Sequence, residues 1–289
     1  MIDLIVDKLR NHLPRPLRRL LSAVLVYSQR LVVWLHVLRQ IKGKSRLDRK
    51  IVWHGATRAP VTALQHTDRW TNPEVDQDCV VLVRGIGEFR VRANCDDLYH
   101  VLPAREPAIL RTIRETLQEG DVFIDAGANI GFYTVLASRL VGSRGRVIAV
   151  EMMPDTAGIL REHLELNGCR NVTIIEKAVS ECSGNTVSAF VQSGKFGQAS
   201  ITKVQPGHAI EVETITLKDI ISDTLDVKLI KMDLEGAEMA ALNSLGDSAE
   251  RVQKVIFEDW GNSEVSRFFN RDKYNVVRLD GNNSLAVRC

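Results

Sequence analysis

Residues 121–151 read DVFIDAGANIGFYTVLASRLVGSRGRVIAVE, and this stretch decides the fold. An apolar run at 122–125 enters a turn with glycines at 127 and 131. A segment with helical spacing follows, and a second apolar run at 146–150 ends in Glu151. Strand, glycine turn, helix and strand in this order predict a βαβ unit with parallel strands. Glycine allows the tight turn and lets backbone approach a ligand closely.

The alternation continues on the C-terminal side. Residues 155–168 have helical spacing, 171–179 and 186–191 are strand-like, and IEVETITLKDII (210–221) follows. Residues 193–200 read as a Gly/Ser/Gln loop, and VKLIKMDLEGAE (227–238) and VQKVIFEDW (252–260) complete the run. A last hairpin is expected to turn at Asp280-Gly281-Asn282. Strands alternating with helices predict a doubly wound α/β sheet with its ligand at the strand C-terminal ends. On the N-terminal side, CVVLVR (79–84) and EFRVRA (88–93) predict a hairpin around Gly85-Ile86-Gly87, and 103–118 has helical spacing. The expected organisation is a basic segment at 1–60, a β-rich lead-in at 61–104 and the catalytic-type domain at 105–289.

The chain has 289 residues, 45% hydrophobic and 26% charged, enough to bury a sizeable core. No uncharged apolar run reaches the length of a membrane span. Cys79, Cys95, Cys169, Cys182 and Cys289 are odd in number and contain no CxxC pair. Reduced thiols in a cytoplasmic protein are therefore expected, rather than a disulfide scaffold or a zinc site.

Charge is uneven. Residues 1–60 carry 13 Lys/Arg against 3 Asp/Glu, while the remainder carries 25 against 33. A basic head on an acidic body predicts an anionic partner for the head. Within it, 17–41 predicts an amphipathic helix of about 37 Å. Arg18, Ser22, Gln29, His36 and Gln40 mark its polar stripe, and Leu17, Leu21, Val24, Leu31, Leu35 and Leu38 another face. A central Arg30 disfavours spanning a bilayer. Lying in an anionic membrane interface, with the protein peripheral to the membrane, and packing on protein both stay open.

The glycine turn and Glu151 together describe a nucleoside crevice, because an acid at the end of the second strand can bind ribose hydroxyls. A dinucleotide fold wants GxGxxG, whereas here the spacing is Gly127-x-x-x-Gly131 with Asp125 just before the turn. A carboxylate there suits a cationic amino-acid moiety, as in S-adenosylmethionine, better than a pyrophosphate. An NAD(P)-dependent oxidoreductase is disfavoured for the same reason.

FIDAGANIGFYTVLASRLVG, GRVIAVE, REHLELNG, NVTIIEKAVS, VETITLKDI and VKLIKMDLEGAE, in this order, resemble the FkbM family of S-adenosylmethionine-dependent methyltransferases. The resemblance spans roughly 100–260. It implies a class I methyltransferase (Rossmann-like) sheet of seven strands with one antiparallel. The implied activity is O-methylation of a hydroxyl on a sugar, glycolipid or related natural product. By position it carries Asp125, Gly127, Asn129 and Gly131 onto the first cofactor loop, and Glu151 onto the ribose acid. Ala178 falls beside the adenine, Glu106 ahead of the cofactor loop, and Asp233–Glu238 on the D-x-E-G-x-E hallmark. Glu151-Met152-Met153-Pro154, Lys218 and His163 depart from the family pattern.

An aliphatic hydroxyl needs help to lose its proton. Asp233, at the predicted end of a central strand, is the expected base, with Glu235 second. The same acids could hold Mg²⁺, although Glu235 and Glu238 could equally cap the following helix. His100, His208 and the 196–200 stretch are weaker candidates. The expected acceptor is a hydroxyl-bearing glycan or lipid-linked molecule. A non-catalytic membrane adaptor with this fold and a nucleic-acid methyltransferase are the competing readings. The second is disfavoured by the acidic body and the lack of a [DN]-P-P-[YFW] tetrapeptide.

Overall fold

The computed structural model describes residues 14–65, 72–192, 195–202, 208–221, 226–259, 264–271 and 274–289. Two compact units are present, Met1–Arg84 with Val91–Leu102, and Gly85–Arg90 with Pro103–Cys289.

In the first unit, helix α1 (Arg15–Gln40) starts with proline in its first turn, where the missing N–H costs nothing, and stops where Ile41 turns extended. Strand β1 (Ile41–Gly43) leads into α2 (Arg46–Gln65). The start of α2 is fixed by a reciprocal box, Ser45 N–H to Asp48 Oδ2 (2.8 Å) and Asp48 N–H to Ser45 Oγ (3.0 Å). Strand β2 (Cys79–Val83) pairs antiparallel with β1. Helix α3 (Asp97–His100) closes this unit, whereas strand β3 (Gly87–Val91) belongs, up to Arg90, to the second.

The helix expected at 17–41 is present as α1, but its buried side is the arc of Arg30, Trp34 and Val37, continued by Ile41. Leu17, Val24, Leu31 and Leu35 remain exposed. Residues 61–65, read as the start of a β-rich lead-in, are the last turn of α2.

After β3 the second unit continues with α4 (Pro107–Thr116), then β4 (Val122–Ala126), α5 (Phe132–Val141), β5 (Arg146–Val150), α6 (Pro154–Leu166) and β6 (Val172–Ile175). A second small sheet follows, from β7 (Ala178–Val179), β8 (Thr186–Gln192), β9 (Lys195–Ser200) and β10 (His208–Ile215) in the order β7-β10-β8-β9. The chain returns through α7 (Leu217–Ile220), β11 (Leu229–Met232), α8 (Glu238–Asn243), β12 (Lys254–Glu258), α9 (Glu264–Arg271), β13 (Tyr274–Arg278) and β14 (Asn283–Arg288).

The main sheet has seven strands in the order β13-β14-β12-β11-β4-β5-β6. β4, β5, β6, β11 and β12 are parallel, and β14 runs antiparallel to both β12 and β13. This is the class I methyltransferase arrangement. Ile124, Ile148, Ile230, Met232, Val255 and Phe257 fill its core with no solvent-facing alternation, as expected of strands covered on both faces. The strand order reverses between β4 and β11, so the switch point, where such sheets bind ligands, lies beyond Ala126 and Met232. The final turn holds because Asp280 Oδ1 accepts from the N–H groups of Asn282 and Asn283. One expectation is corrected: residues 195–200 are not a loop but strand β9, antiparallel to β8.

Candidate active site

Gly127 and Ala128 both donate their N–H groups to Val150 O, at 3.0 and 2.9 Å, which clamps the turn after β4 onto the end of β5. Gly127 has φ +79°, and a Cβ there would lie 2.0 Å from Asp233 O. Only glycine lets the backbones leaving β4 and β11 come this close. Asn129 (φ +49°) and Gly131 (φ +85°) are also left-handed, which asparagine and glycine tolerate best. His163 supports the turn from α6. With its proton on Nδ1, it donates to Ile130 O (2.6 Å) and accepts from Arg90 N–H at Nε2 (2.9 Å).

The same turn positions the acid at the end of β5. Asn129 N–H donates to Glu151 Oε2 (2.8 Å), and Met153 N–H to Oε1 (2.9 Å). Glu151 is only 8% exposed. Burial pushes its pKa up to about 7 even though both hydrogen bonds favour the charged form. Ala178 packs in a small apolar cluster with Met153, whose amide holds Glu151, so the adenine-side candidate sits beside the ribose-side one.

A buried charge network lies at the switch point. Lys231 and Asp125 are register partners on β11 and β4. Thr134 Oγ1 donates to Asp125 Oδ2 (2.6 Å), while Oδ1 accepts no hydrogen bond and faces Lys231 Nζ at 3.8 Å. Lys231 Nζ also reaches Asp233 Oδ2 (3.3 Å) and stands 5.3 Å from the centre of the Tyr133 ring. Tyr133 in turn donates to Glu106 Oε2 (2.9 Å), which also pairs with Arg105. Burial opposes the charge on Lys231, but Asp233, Asp125 and Glu106 outweigh it and hold its pKa above the ordinary lysine value. Burial raises Asp125, and Lys231 and Thr134 only partly offset that. Burial, reinforced by Glu106, keeps the Tyr133 hydroxyl protonated.

Beyond β11 the D-L-E-G-A-E turn is held from both sides. Glu235 (φ +49°) and Gly236 (φ +106°) are left-handed. Glu238 Oε1 accepts from Leu234 N–H (3.0 Å) and Gly236 N–H (3.4 Å), which ties the turn to the start of α8 without capping the helix itself. Ser200 Oγ and Thr202 Oγ1 donate to Glu235 O at 3.0 and 3.2 Å. Of the 196–200 stretch, Ser200 therefore touches this turn, whereas the side chains of 196–198 and of His208 lie outside the described residues. Asp233 is about a quarter exposed (27%), which leaves its carboxylate reachable from the crevice.

The structure thus brings Asp125, Gly127, Asn129, Gly131, Glu151 and Asp233 to one crevice, with Glu235 two residues on. Glu106 joins through Tyr133 and Ala178 through Met153. His100 lies in the other unit, paired with Asp96 at 3.2 Å. Lys231, Thr134, Tyr133 and Arg105 were missed by sequence reasoning. A lysine inside the apolar strand Leu229–Met232 is the signal that could have found the first.

The acids after β11 do not form a metal-ligating group. Among the described residues such a group is Cys95, Asp96 and Asp97. There Arg92 already holds both oxygens of Asp97, each at 2.8 Å, and burial pushes the Cys95 thiol up to about 12. At Asp125 and Asp233, the Lys231 ammonium takes the place a divalent cation would occupy, so the residues do not fit Mg²⁺. They do fit S-adenosylmethionine: Asp125 Oδ1 has no hydrogen-bond donor, Glu151 is presented at the end of β5, and three left-handed residues line the turn between.

Residues 125–275, just over half of the chain, match the family model described as the methyltransferase FkbM domain. The chain is 26% identical over 176 residues to a probable cobalt-precorrin-6B C(15)-methyltransferase (decarboxylating) of Sulfolobus acidocaldarius, covering 60% of this chain and 86% of that protein. It is 24% identical over 155 residues to the hexuronic acid methyltransferase AglP of Haloferax volcanii, covering 53% and 62%. A crystal structure of methyltransferase FkbM from Methylobacillus flagellatus aligns with a TM-score of 0.39 at 18% identity, over 66% of this chain and 54% of that one.

Proposed function

The chain belongs to the FkbM methyltransferase family, and we propose that it transfers a methyl group from S-adenosylmethionine to a hydroxyl of a sugar or a lipid-linked glycan. The observation that carries this reading is the juxtaposition, at one sheet switch point, of a glycine turn, an acid fit for ribose and a partly exposed Asp233. Bound there, S-adenosylmethionine supplies an electrophilic methyl carbon on a cationic sulfur.

The chain's own residues do the rest. Glu151 offers a carboxylate to ribose hydroxyls, and Asn129 and Met153 fix its orientation in advance. Asp125 adds negative charge beneath the amino-acid end, with Thr134 and Lys231 keeping it in place. Asp233 accepts the acceptor's hydroxyl proton while Lys231 holds one of its oxygens, so the base is aimed before the acceptor arrives. Glu235 stands two residues further, on a turn anchored by Ser200 and Thr202, where it can receive a second acceptor hydroxyl.

A carboxyl or carbon acceptor would need no such base for a hydroxyl proton, and Asp233 therefore favours the hydroxyl. The sugar class is supported by the likeness to a hexuronic acid methyltransferase. The test is transfer of labelled methyl from S-adenosylmethionine by the full chain into isolated sugars and lipid-linked glycans, followed by alkali. A methyl ether survives that treatment. Label released as methanol, or found only on carbon, would overturn the hydroxyl assignment.

A further inference from the structure

We propose that α1 and the start of α2 form a docking face for an anionic lipid bilayer, with α1 lying in the plane of the interface. Among the described side chains of α1, the buried ones, Arg30, Trp34 and Val37, lie on one side. On another side Leu17, Val24, Leu31 and Leu35 are 52%, 57%, 46% and 58% exposed. Their spacing of seven, seven and four residues stacks them along one stripe about 27 Å long. Four large aliphatic side chains aligned on one helix are not the scattered single exposures of an ordinary surface. Leu47 and Trp53 of α2 are exposed to the same degree.

Charge selects the occupant. Residues 14–65 contain 11 Lys/Arg and one acid, Asp48. That acid is already engaged, accepting from Ser45 N–H at 2.8 Å and Val80 N–H at 3.1 Å. Arg39, Lys42, Lys44, Arg46, Arg49 and Lys50 are all exposed. An anionic bilayer takes both components, the cations at its headgroups and the leucines just below them. A nucleic acid would use the cations and leave the leucines in water. A second copy meeting the same face would set like charges against each other. Spanning is not involved: among the described residues no helix is long and apolar enough to cross a membrane, and Arg30 is buried against protein.

The test is flotation of the full chain with phosphatidylcholine vesicles, with and without phosphatidylserine. Binding needs no cofactor, so it succeeds or fails independently of the methyltransferase reading. The chain is expected to float with the anionic vesicles and to be released by salt. Leu31→Gln with Leu35→Gln, at exposed positions that cost the fold little, should lower partitioning about tenfold or more. Lys42→Gln or Arg49→Gln should each lower it about fivefold. The proposal is overturned by folded wild-type chain that stays with the unbound fraction, by leucine variants that float as wild type, or by RNA binding that these leucine substitutions leave intact in place of vesicle binding. A concentration-dependent dimer abolished by the same leucine pair would overturn it too, assigning the stripe to a second copy.

Discussion

Replacing Lys231 by Met keeps a long, flexible side chain between β4 and β11 but removes the only positive charge that this buried network sets directly against Asp125 and Asp233 in the described residues. Lys231 is 3% exposed, and its ammonium lies 3.8 Å from one carboxylate and 3.3 Å from the other. At an effective dielectric of about 20, these distances correspond to about 4 and about 5 kcal/mol of gross attraction. Desolvation of the three charges cancels much of it, and removing one partner of a buried pair typically costs about 3–5 kcal/mol because the other is stranded. Asp125 bears most of that cost, since Asp233 is partly open to water. In a unit of this size the loss lowers the melting temperature by about 10 °C. The sign with pH is definite. Asp125 already has a raised pKa, and without Lys231 it rises further. The penalty is therefore greatest where unfolded aspartate is fully ionised, and it shrinks as pH falls and Asp125 takes up a proton. Thermal denaturation of wild type and Lys231→Met across a pH series reads this directly. Adding Asp125→Asn to Lys231→Met should recover most of the loss. A Lys231→Met chain within about 1 kcal/mol of wild type at every pH would refute the reasoning.

Three shorter expectations follow from the same geometry. Gly127→Ala combines a left-handed backbone with a Cβ 2.0 Å from Asp233 O, and should cost about 2–5 kcal/mol by denaturant melts and displace Asp233 from its place. Glu151 has a folded pKa of about 7, above its unfolded value. It therefore subtracts stability progressively as pH rises from about 4.5 to about 7, by roughly 3 kcal/mol in all. Glu151→Gln should flatten that slope, and an unchanged pH profile would remove Glu151 from it. Asp233→Asn keeps the side-chain shape while removing the base, so turnover should fall at least about a hundredfold with cofactor affinity nearly unchanged. Single-turnover kinetics separates the two.

The parts of this protein that were legible in its sequence are those whose chemistry is local. The runs at 122–126 and 146–150 declare buried parallel strands because neither face needs polar residues. Gly127, Asn129 and Glu151 declare the crevice because a turn and a strand end are short-range objects. The network around Lys231 was not legible, since it depends on the β4–β11 register that sets Lys231 against Asp125, and on α5 bringing the Tyr133 ring against Lys231. Strand β9 was hidden by a Gly-Gln-Ala-Ser sequence with no strand-like alternation, and pairing with β8 overrides that weak local preference. Helix α2 was hidden by Gly55 and Pro60. Gly55 is there for packing, because a Cβ would lie 2.7 Å from the Trp34 ring. The inward face of α1 was not legible, because a buried Arg30 is rarer than a buried leucine.

The most direct test of the central claim is calorimetric titration of the full chain with S-adenosylmethionine, repeated on Glu151→Ala. Binding in the micromolar range by wild type, weakened about a hundredfold or more by the substitution while the fold is retained, is the predicted result. A folded wild-type chain that does not bind S-adenosylmethionine, or a Glu151→Ala variant that binds it as tightly as wild type, would contradict the account.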